Sequence, residues 1–211
     1  FMTQFNQPFR GEIFPANLEE KEILGLKCYK SITQIKSAVD LAVISVPAKI
    51  VLPVVKDCAK KRVKGIIIIS AGFAELGQEG KKLQDSIVDV VRKAKIPLIG
   101  PNCLGVINTH ASLNATFAPV MPPKGDIAFV SQSGALADSV LDWAIENRYG
   151  FSKVISYGNS ADVDVNDIIE FLSDDKETKA IAVYIEGVSD GRRFMQVAKK
   201  CKKPIIVIKA G

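Results

Sequence analysis

The residues best suited to chemistry stand in short segments of small residues that follow apolar runs. The clearest such segment is Ser-Gln-Ser-Gly, from Ser131 to Gly134, which precedes a helical pattern. The first turn of a helix carries N–H groups without partners and a partial positive charge, so it can bind phosphate or carboxylate. The hydroxyls of Ser131 and Ser133 could add two donors, or Ser133 could only cap the helix. A nucleophilic serine is a third interpretation, but His110, the single histidine, is the only imidazole base available.

For each of the other candidate residues, the sequence allows a functional role and a purely structural role. Glu186 ends an apolar run, where a carboxylate could orient an imidazole, hold a cation or simply lie at the surface. The Asn102 amide could bind a ligand or only build a turn. Cys103 is expected to be a buried thiol rather than a nucleophile. His110 lies in an irregular segment and is expected to be solvated rather than catalytic.

The elements that must position these residues follow an alternating pattern. Apolar runs rich in β-branched residues predict strands that are buried on both faces, as in a parallel sheet. Helical periodicity between them predicts crossover helices, and Asp164 with Asp167 predicts a capping box. The predicted strands are 12–14, 39–46, 65–70, 96–99, 126–130, 153–156, 179–185 and 204–209, and the main helical patterns are 50–62, 83–94, 136–145, 164–172 and 194–201.

An irregular stretch interrupts this alternation at residues 100–125, where glycine and proline are frequent. We therefore place a domain boundary near Pro123, which divides the chain into residues 1–123 and 124–211. Both parts are predicted to be doubly wound α/β domains with right-handed crossovers, and the second reads βαβαβαβ. Ligands should bind beyond the carboxyl ends of their strands.

Composition narrows the class of protein. The net charge of +5 lies in scattered lysines and arginines without interleaved aromatic residues, so a nucleic-acid partner is not expected. No apolar run approaches the roughly 20 residues of a membrane helix, and no secretory leader opens the sequence, so we predict a cytoplasmic protein without a membrane partner. Four separate cysteines and one histidine give none of the common zinc spacings, and no metal site is predicted.

Nine stretches of the sequence, taken in order, resemble the CoA-binding and ligase-CoA domains of ADP-forming acetyl-CoA synthetases. These enzymes are relatives of the succinyl-CoA synthetase α subunit, and the resemblance runs from Gly11 to Gly211. The stretches are GEIFPAN (11–17), ILGLKCY (23–29), VDLAVISVPAK (39–49), IIIISAGFAELG (66–77), IPLIGPNCLGVIN (96–108), LNATFAP (113–119), IAFVSQSGALA (127–137), YGNSADVDVND (157–167) and YIEGVSDGRRF (184–194).

The resemblance implies a Rossmann-like CoA-binding domain followed by a flavodoxin-like, succinyl-CoA synthetase-like domain. Acyl-CoA, ADP and phosphate would be interconverted with a carboxylate, CoA and ATP through an acyl phosphate and a phosphohistidine. Glu186 would steady that histidine, and Asn102 would lie near the thioester. The residues implied to bind CoA are Val46, Pro47, Lys49, Ser70, Ala71, Gly72 and Asn102, and those implied to bind phosphate are Ser131, Ser133, Gly134, Gly158 and Asn159.

Parts of the family pattern are expected outside this sequence. The first strand with its glycine-rich CoA loop would precede Phe1, and the histidine loop would follow Lys209-Ala210-Gly211. We therefore expect a segment of a longer polypeptide. The ATP-grasp domain, which binds ADP or ATP with Mg2+, would be supplied by that polypeptide or by a β subunit, in a homo- or hetero-oligomer. Leu18-Glu19 stands where the family often has a lysine.

Two alternatives stand beside this assignment. A similar region occurs in lysine acetyltransferases that carry a GNAT domain, where it senses acyl-CoA without turnover, so a regulatory role stays open. A nicotinamide-binding Rossmann domain would need a G-x-G-x-x-G turn with an acidic residue about 20 positions later. The sequence shows neither feature.

Overall fold

The computed structural model describes residues 9–210, so Phe1 and Gly211 lie outside the described residues. The described part opens with a two-stranded antiparallel ribbon of β1 (Glu22–Ile23) and β2 (Leu26–Lys27). The prediction of a strand at 12–14 is wrong, because these residues pair with no other segment of the described chain. The nearest pairing is an isolated bridge between Ala16 and Tyr29.

A three-stranded parallel sheet follows, in the order β3-β4-β5. Its apolar strands are buried on both faces, as the continuous runs predicted, because α1 and α2 pack against one face and Cys103 and Ala115 pack against the other. Side chains such as Ile66, Val55 and Val91 build the core, and each contributes about 1.5–3 kcal/mol when fully buried. The elements are β3 (Leu41–Ile44), α1 (Ala48–Lys61), β4 (Gly65–Ile68), α2 (Gln78–Ala94) and β5 (Leu98–Ile99).

The rest of the chain forms a six-stranded sheet in the order β11-β10-β8-β9-β6-β7. Strands β8 to β11 run parallel, whereas β6 and β7 pair antiparallel at one side. The predicted α/β class and the βαβαβαβ order are confirmed. The elements are β6 (Gly105–Asn108), β7 (Leu113–Thr116), β8 (Lys124–Ser131), α3 (Gly134–Glu146), β9 (Phe151–Ser156), α4 (Val165–Asp174), β10 (Ala180–Ile185), α5 (Gly191–Lys200) and β11 (Ile205–Lys209).

The segment 100–125 is more regular than its glycine and proline content predicted. It contains β6 and β7, which join the six-stranded sheet although they precede Pro123. Buried Ile107 and Ala115 anchor these short strands against the neighbouring core. The sheets therefore divide before Gly105, while the domain boundary near Pro123 stays a prediction.

Strand order places a switch point between β8 and β10. The connection from β8 leads through α3 to β9 on one side, and the connection from β10 leads through α5 to β11 on the other. The carboxyl ends of β8 and β10 are neighbours, since Ser131 pairs with Tyr184. In open parallel sheets this is where a ligand crevice forms. Within residues 9–210, no helix combines the length and the apolar character needed to cross a membrane.

Candidate functional site

A glutamine joins the two strand ends at the switch point. The Gln132 side-chain oxygen accepts hydrogen bonds from the backbone N–H groups of Glu186 (2.8 Å) and Gly187 (3.0 Å). Its own backbone N–H donates to the Tyr184 carbonyl at 3.1 Å. The loop after β10 is thereby fixed beside the start of α3, and Glu186 remains exposed. Sequence reasoning did not single out Gln132, although it lies inside the Ser-Gln-Ser-Gly segment.

The start of α3 retains the groups that an anion would need. Ser133 is the helix cap, because its Oγ accepts the Leu136 N–H at 3.2 Å. A hydroxyl that accepts one hydrogen bond can still donate its own hydrogen. Among the described residues, the backbone N–H groups of Gly134 and Ala135 have no hydrogen-bond acceptor. The cap and the anion site are therefore compatible rather than exclusive.

Ser131 does not supply the second hydroxyl donor that the sequence suggested. It is fully buried, and its Oγ donates to the Ser133 carbonyl at 2.7 Å. Its own carbonyl accepts the Tyr157 N–H at 3.1 Å. Ser131 therefore shapes the loop instead of facing a ligand.

Gly158 lies where the loop after β9 meets the loop after β5. Its φ is +53°, and an added Cβ would lie 2.2 Å from the Asn102 carbonyl oxygen and 2.4 Å from that of Pro101. Only glycine permits this approach, since both neighbours are backbone atoms. Gly158 thus brings the edges of the two sheets together.

Asn159 is a second correction among the predicted phosphate ligands. Its backbone N–H donates to the Pro101 carbonyl at 2.9 Å. Its side-chain Nδ2 donates to Glu75 Oε2 (2.5 Å) and Gln84 Oε1 (3.1 Å), which uses both amide hydrogens. Asn159 has no N–H left for phosphate and instead links the two sheets.

Asn102 continues this link towards the edge of the first sheet. Its Nδ2 donates to Asn159 Oδ1 at 3.2 Å, and its backbone N–H donates to the Ser70 carbonyl at 3.0 Å. Its backbone lies in the left-handed region, with φ of +57°, a conformation that asparagine tolerates better than most residues. Asn102 therefore stands between the loop after β4 and the loop after β9.

Glu75 closes the chain of hydrogen bonds. Its Oε1 accepts the N–H groups of Gly72 (2.6 Å) and Phe73 (3.1 Å). Partial burial opposes the charged form of the carboxylate, but the hydrogen bonds from Asn159, Gly72 and Phe73 outweigh it and lower the pKa of Glu75. Sequence reasoning missed Glu75 and Gln84. The available signal was Gln84, a polar residue on the face of α2 that also buries Ile87.

The predicted CoA residues gather at the carboxyl edge of the first sheet. The Ser70 hydroxyl donates to the Val46 carbonyl at 2.5 Å and so ties the loops after β3 and β4. Helix α1 begins after Pro47, which provides no side-chain cap. Its first N–H groups and the exposed ammonium group of Lys49 can therefore attract phosphate groups. Ala71 is exposed beside Gly72.

Neither Cys103 nor His110 contributes a reactive group to this edge. Burial raises the pKa of the Cys103 thiol to about 12, and its Sγ donates to the Ile68 carbonyl at 3.3 Å. The His110 ring lies 3.0 Å from the carbonyl of Gly125, near the first residue of β8, whereas Ser131 is its last. Their expected structural roles agree with these positions.

Two family models match the chain. Residues 1–109 match the CoA binding domain, and residues 124–211 match the succinyl-CoA ligase like flavodoxin domain. The predicted order of a CoA-binding domain and a flavodoxin-like domain is thereby confirmed.

Curated proteins and solved structures give concordant matches. The α subunit of acetate–CoA ligase (ADP-forming) II from Pyrococcus furiosus is 51% identical over 95% of this chain and 44% of its own length. Acetate–CoA ligase (ADP-forming) I from Archaeoglobus fulgidus is 50% identical over 96% of this chain and 30% of its own length. A dinucleotide-forming acetyl-CoA synthetase 1 from Ca. Korarchaeum cryptofilum, solved with phosphate and ADP, superposes with a TM-score of 0.94 at 39% identity. That match covers 99% of this chain and 46% of the solved chain, so the chain spans less than half the length of each of these proteins.

Proposed function

Because the chain belongs to the CoA binding domain family through residues 1–109, we propose that it is the CoA- and phosphate-handling part of an NDP-forming acyl-CoA synthetase. The complete enzyme interconverts acyl-CoA, ADP and phosphate with a carboxylate, CoA and ATP. The acetate–CoA ligases named above support this proposal, since they match nearly the whole chain at about half identity.

The observation that carries the proposal is the junction between the two sheet edges. The hydrogen bond from Asn102 to Asn159 and the close approach at Gly158 hold the loops after β4 and β5 against the loop after β9. Groups suited to CoA on one sheet and to phosphate on the other therefore lie along adjoining edges. A reaction between an acyl-CoA and phosphate requires this proximity.

In the proposed chemistry, CoA lies along the loops after β3 and β4, and phosphate lies at the start of α3. A phosphate oxygen attacks the thioester carbonyl carbon, the C–S bond breaks, and the phosphate proton passes to the CoA thiolate. The N–H groups of Gly134 and Ala135 and the Ser133 hydroxyl stabilise the anion through hydrogen bonds and the positive end of the helix dipole.

The later steps need groups beyond the described residues. A histidine takes the phosphoryl group from the acyl phosphate, and Glu186 accepts a hydrogen bond from its other ring nitrogen. The phosphoryl group then passes to ADP with Mg2+ on an ATP-grasp domain, carried by the same polypeptide or by a β subunit. The separately named α subunit of the Pyrococcus furiosus relative supports such a partner.

The test is ATP formation by the full-length protein from acetyl-CoA, ADP, Mg2+ and phosphate, together with an acid-labile, base-stable phosphoryl label. Glu186→Gln should lower the labelling while CoA affinity is kept, and Glu146→Gln, at an exposed position, is the control. Ser133→Ala should raise the phosphate concentration needed for half-maximal rate, whereas Ser139→Ala on the exposed side of α3 should not. Tight CoA binding without turnover would instead favour an acyl-CoA sensor.

A further inference from the structure

The side chains that join the two sheets form a chain of hydrogen bonds with a fixed direction. An ionised carboxylate can only accept hydrogen bonds, so Glu75 requires Asn159 to present its NH2 group. Gln84 takes the second hydrogen of that group through its Oε1. The Asn159 oxygen must then face Asn102, which meets it with its own NH2 group.

This direction determines what Asn102 offers to a ligand. Because Nδ2 of Asn102 donates to Asn159, Oδ1 of Asn102 lies at the end of this series of hydrogen bonds. No described residue donates a hydrogen bond to it, and the residue is only half-buried. A turn of the amide would set Oδ1 of Asn102 against Oδ1 of Asn159, and the backbone is not free to relieve that contact, because the Asn102 N–H is held by Ser70 and its carbonyl abuts Gly158. The edge of the site therefore presents a hydrogen-bond acceptor.

Glu75 is well suited to fix this direction. Three hydrogen bonds hold its carboxylate, two of them from backbone N–H groups of the loop after β4. These bonds lower its pKa, so the group stays charged and cannot donate near neutral pH. The direction of the hydrogen bonds is thus set at a carboxylate that does not itself need to touch ligand.

We propose that Glu75 is a positioning residue that makes Asn102 present an acceptor, and that the ligand group taken there is an N–H donor. The pantetheine arm of CoA carries two amide N–H groups of this kind. The thioester carbonyl is itself an acceptor and would not bond to this Oδ1. This inference rests on the proposed function, because CoA is the ligand it specifies.

The experiment removes the carboxylate at position 75 and introduces one at position 102, at the other end of the series of hydrogen bonds. Glu75→Gln lets an NH2 group face Asn159, so the amides of Asn159 and Gln84 turn together and Nδ2 of Asn102 is turned outward. Asn102→Asp places two acceptors against each other in the original direction. Each single variant should weaken CoA binding at least about fivefold, as expected for a lost or mismatched hydrogen bond. In the double variant the reversed chain ends on the carboxylate introduced at position 102, which again presents an acceptor, and binding should return to within about twofold of the original.

CoA and acetyl-CoA are titrated calorimetrically into the full-length protein and its variants. The Glu75→Gln loss should be equal for the two ligands, since only acetyl-CoA has the thioester carbonyl. Glu79→Gln, at an exposed position on α2, is the matched control, and urea unfolding checks that each variant is folded. Additive losses in the double variant, or a loss confined to acetyl-CoA, would overturn the inference while leaving CoA binding intact. Absence of CoA binding by the unmodified protein would instead overturn the proposed function itself.

Discussion

Gly158→Ala should destabilise the protein by about 2–5 kcal/mol. The left-handed backbone at φ of +53° costs about 1–2 kcal/mol for a residue with a Cβ. The added carbon would also lie 2.2 Å from the Asn102 carbonyl oxygen and 2.4 Å from that of Pro101. Neither backbone atom can rotate away, so one loop must shift, and overpacking of this kind costs about 1–3 kcal/mol. The two costs act together because they arise from the same atom.

Two other glycines separate these costs experimentally. Gly25 has φ of +76° with no atom within 4 Å of an added Cβ, so Gly25→Ala should show only the backbone cost of about 1–2 kcal/mol. At Gly187 neither the backbone nor a neighbour opposes a Cβ, and Gly187→Ala should leave stability nearly unchanged. Urea unfolding of the three variants gives the comparison. If Gly158→Ala costs no more than Gly25→Ala, the close approach of the loops does not constrain this edge.

Three further outcomes follow from buried polar groups. Lys153→Met should cost about 3 kcal/mol at neutral pH because it breaks a nearly buried pair with Asp175 at 2.7 Å. Lys179→Met, which breaks an exposed pair with Asp126, should change the free energy of unfolding far less in the same urea assay. Burial opposes the charge on Asp175, but hydrogen bonds from Lys153 and Thr178 outweigh this effect and lower the pKa of Asp175. The contribution of Lys153 to the free energy of unfolding should therefore be present above about pH 4 and decrease as acid protonates the Asp175 carboxylate. Tyr157→Phe should raise the free energy of unfolding by about 1 kcal/mol, since the buried hydroxyl has no partner among the described residues. A lower melting temperature would contradict this last expectation.

The sequence was most informative where burial is symmetrical. The run that became β4 is apolar on both sides because α1 and α2 cover one face of its sheet while Cys103 and Ala115 pack against the other, and such runs have few alternatives. The Asp164 capping box was likewise predictable, because both of its hydrogen bonds are local. Strands β6 and β7 were missed for the opposite reason. They are four residues long, lie at the antiparallel side of the sheet and stand among glycines and prolines that indicate turns.

In the candidate site too, features with a local cause could be predicted from the sequence, and features that depend on distant residues could not. That small residues follow the parallel strands is a local property, so the loops at Val46, Ser70 and Ser131 could be proposed from the sequence as ligand loops. Which way an amide faces is not local, because it depends on the partner that another segment brings. The direction of the Asn102 amide is set by Glu75, and Asn159, 84 positions further along the chain, transmits it. In the sequence alone Glu75 is one charged residue in a turn, and only the fold shows that its carboxylate accepts hydrogen bonds from Gly72, Phe73 and Asn159.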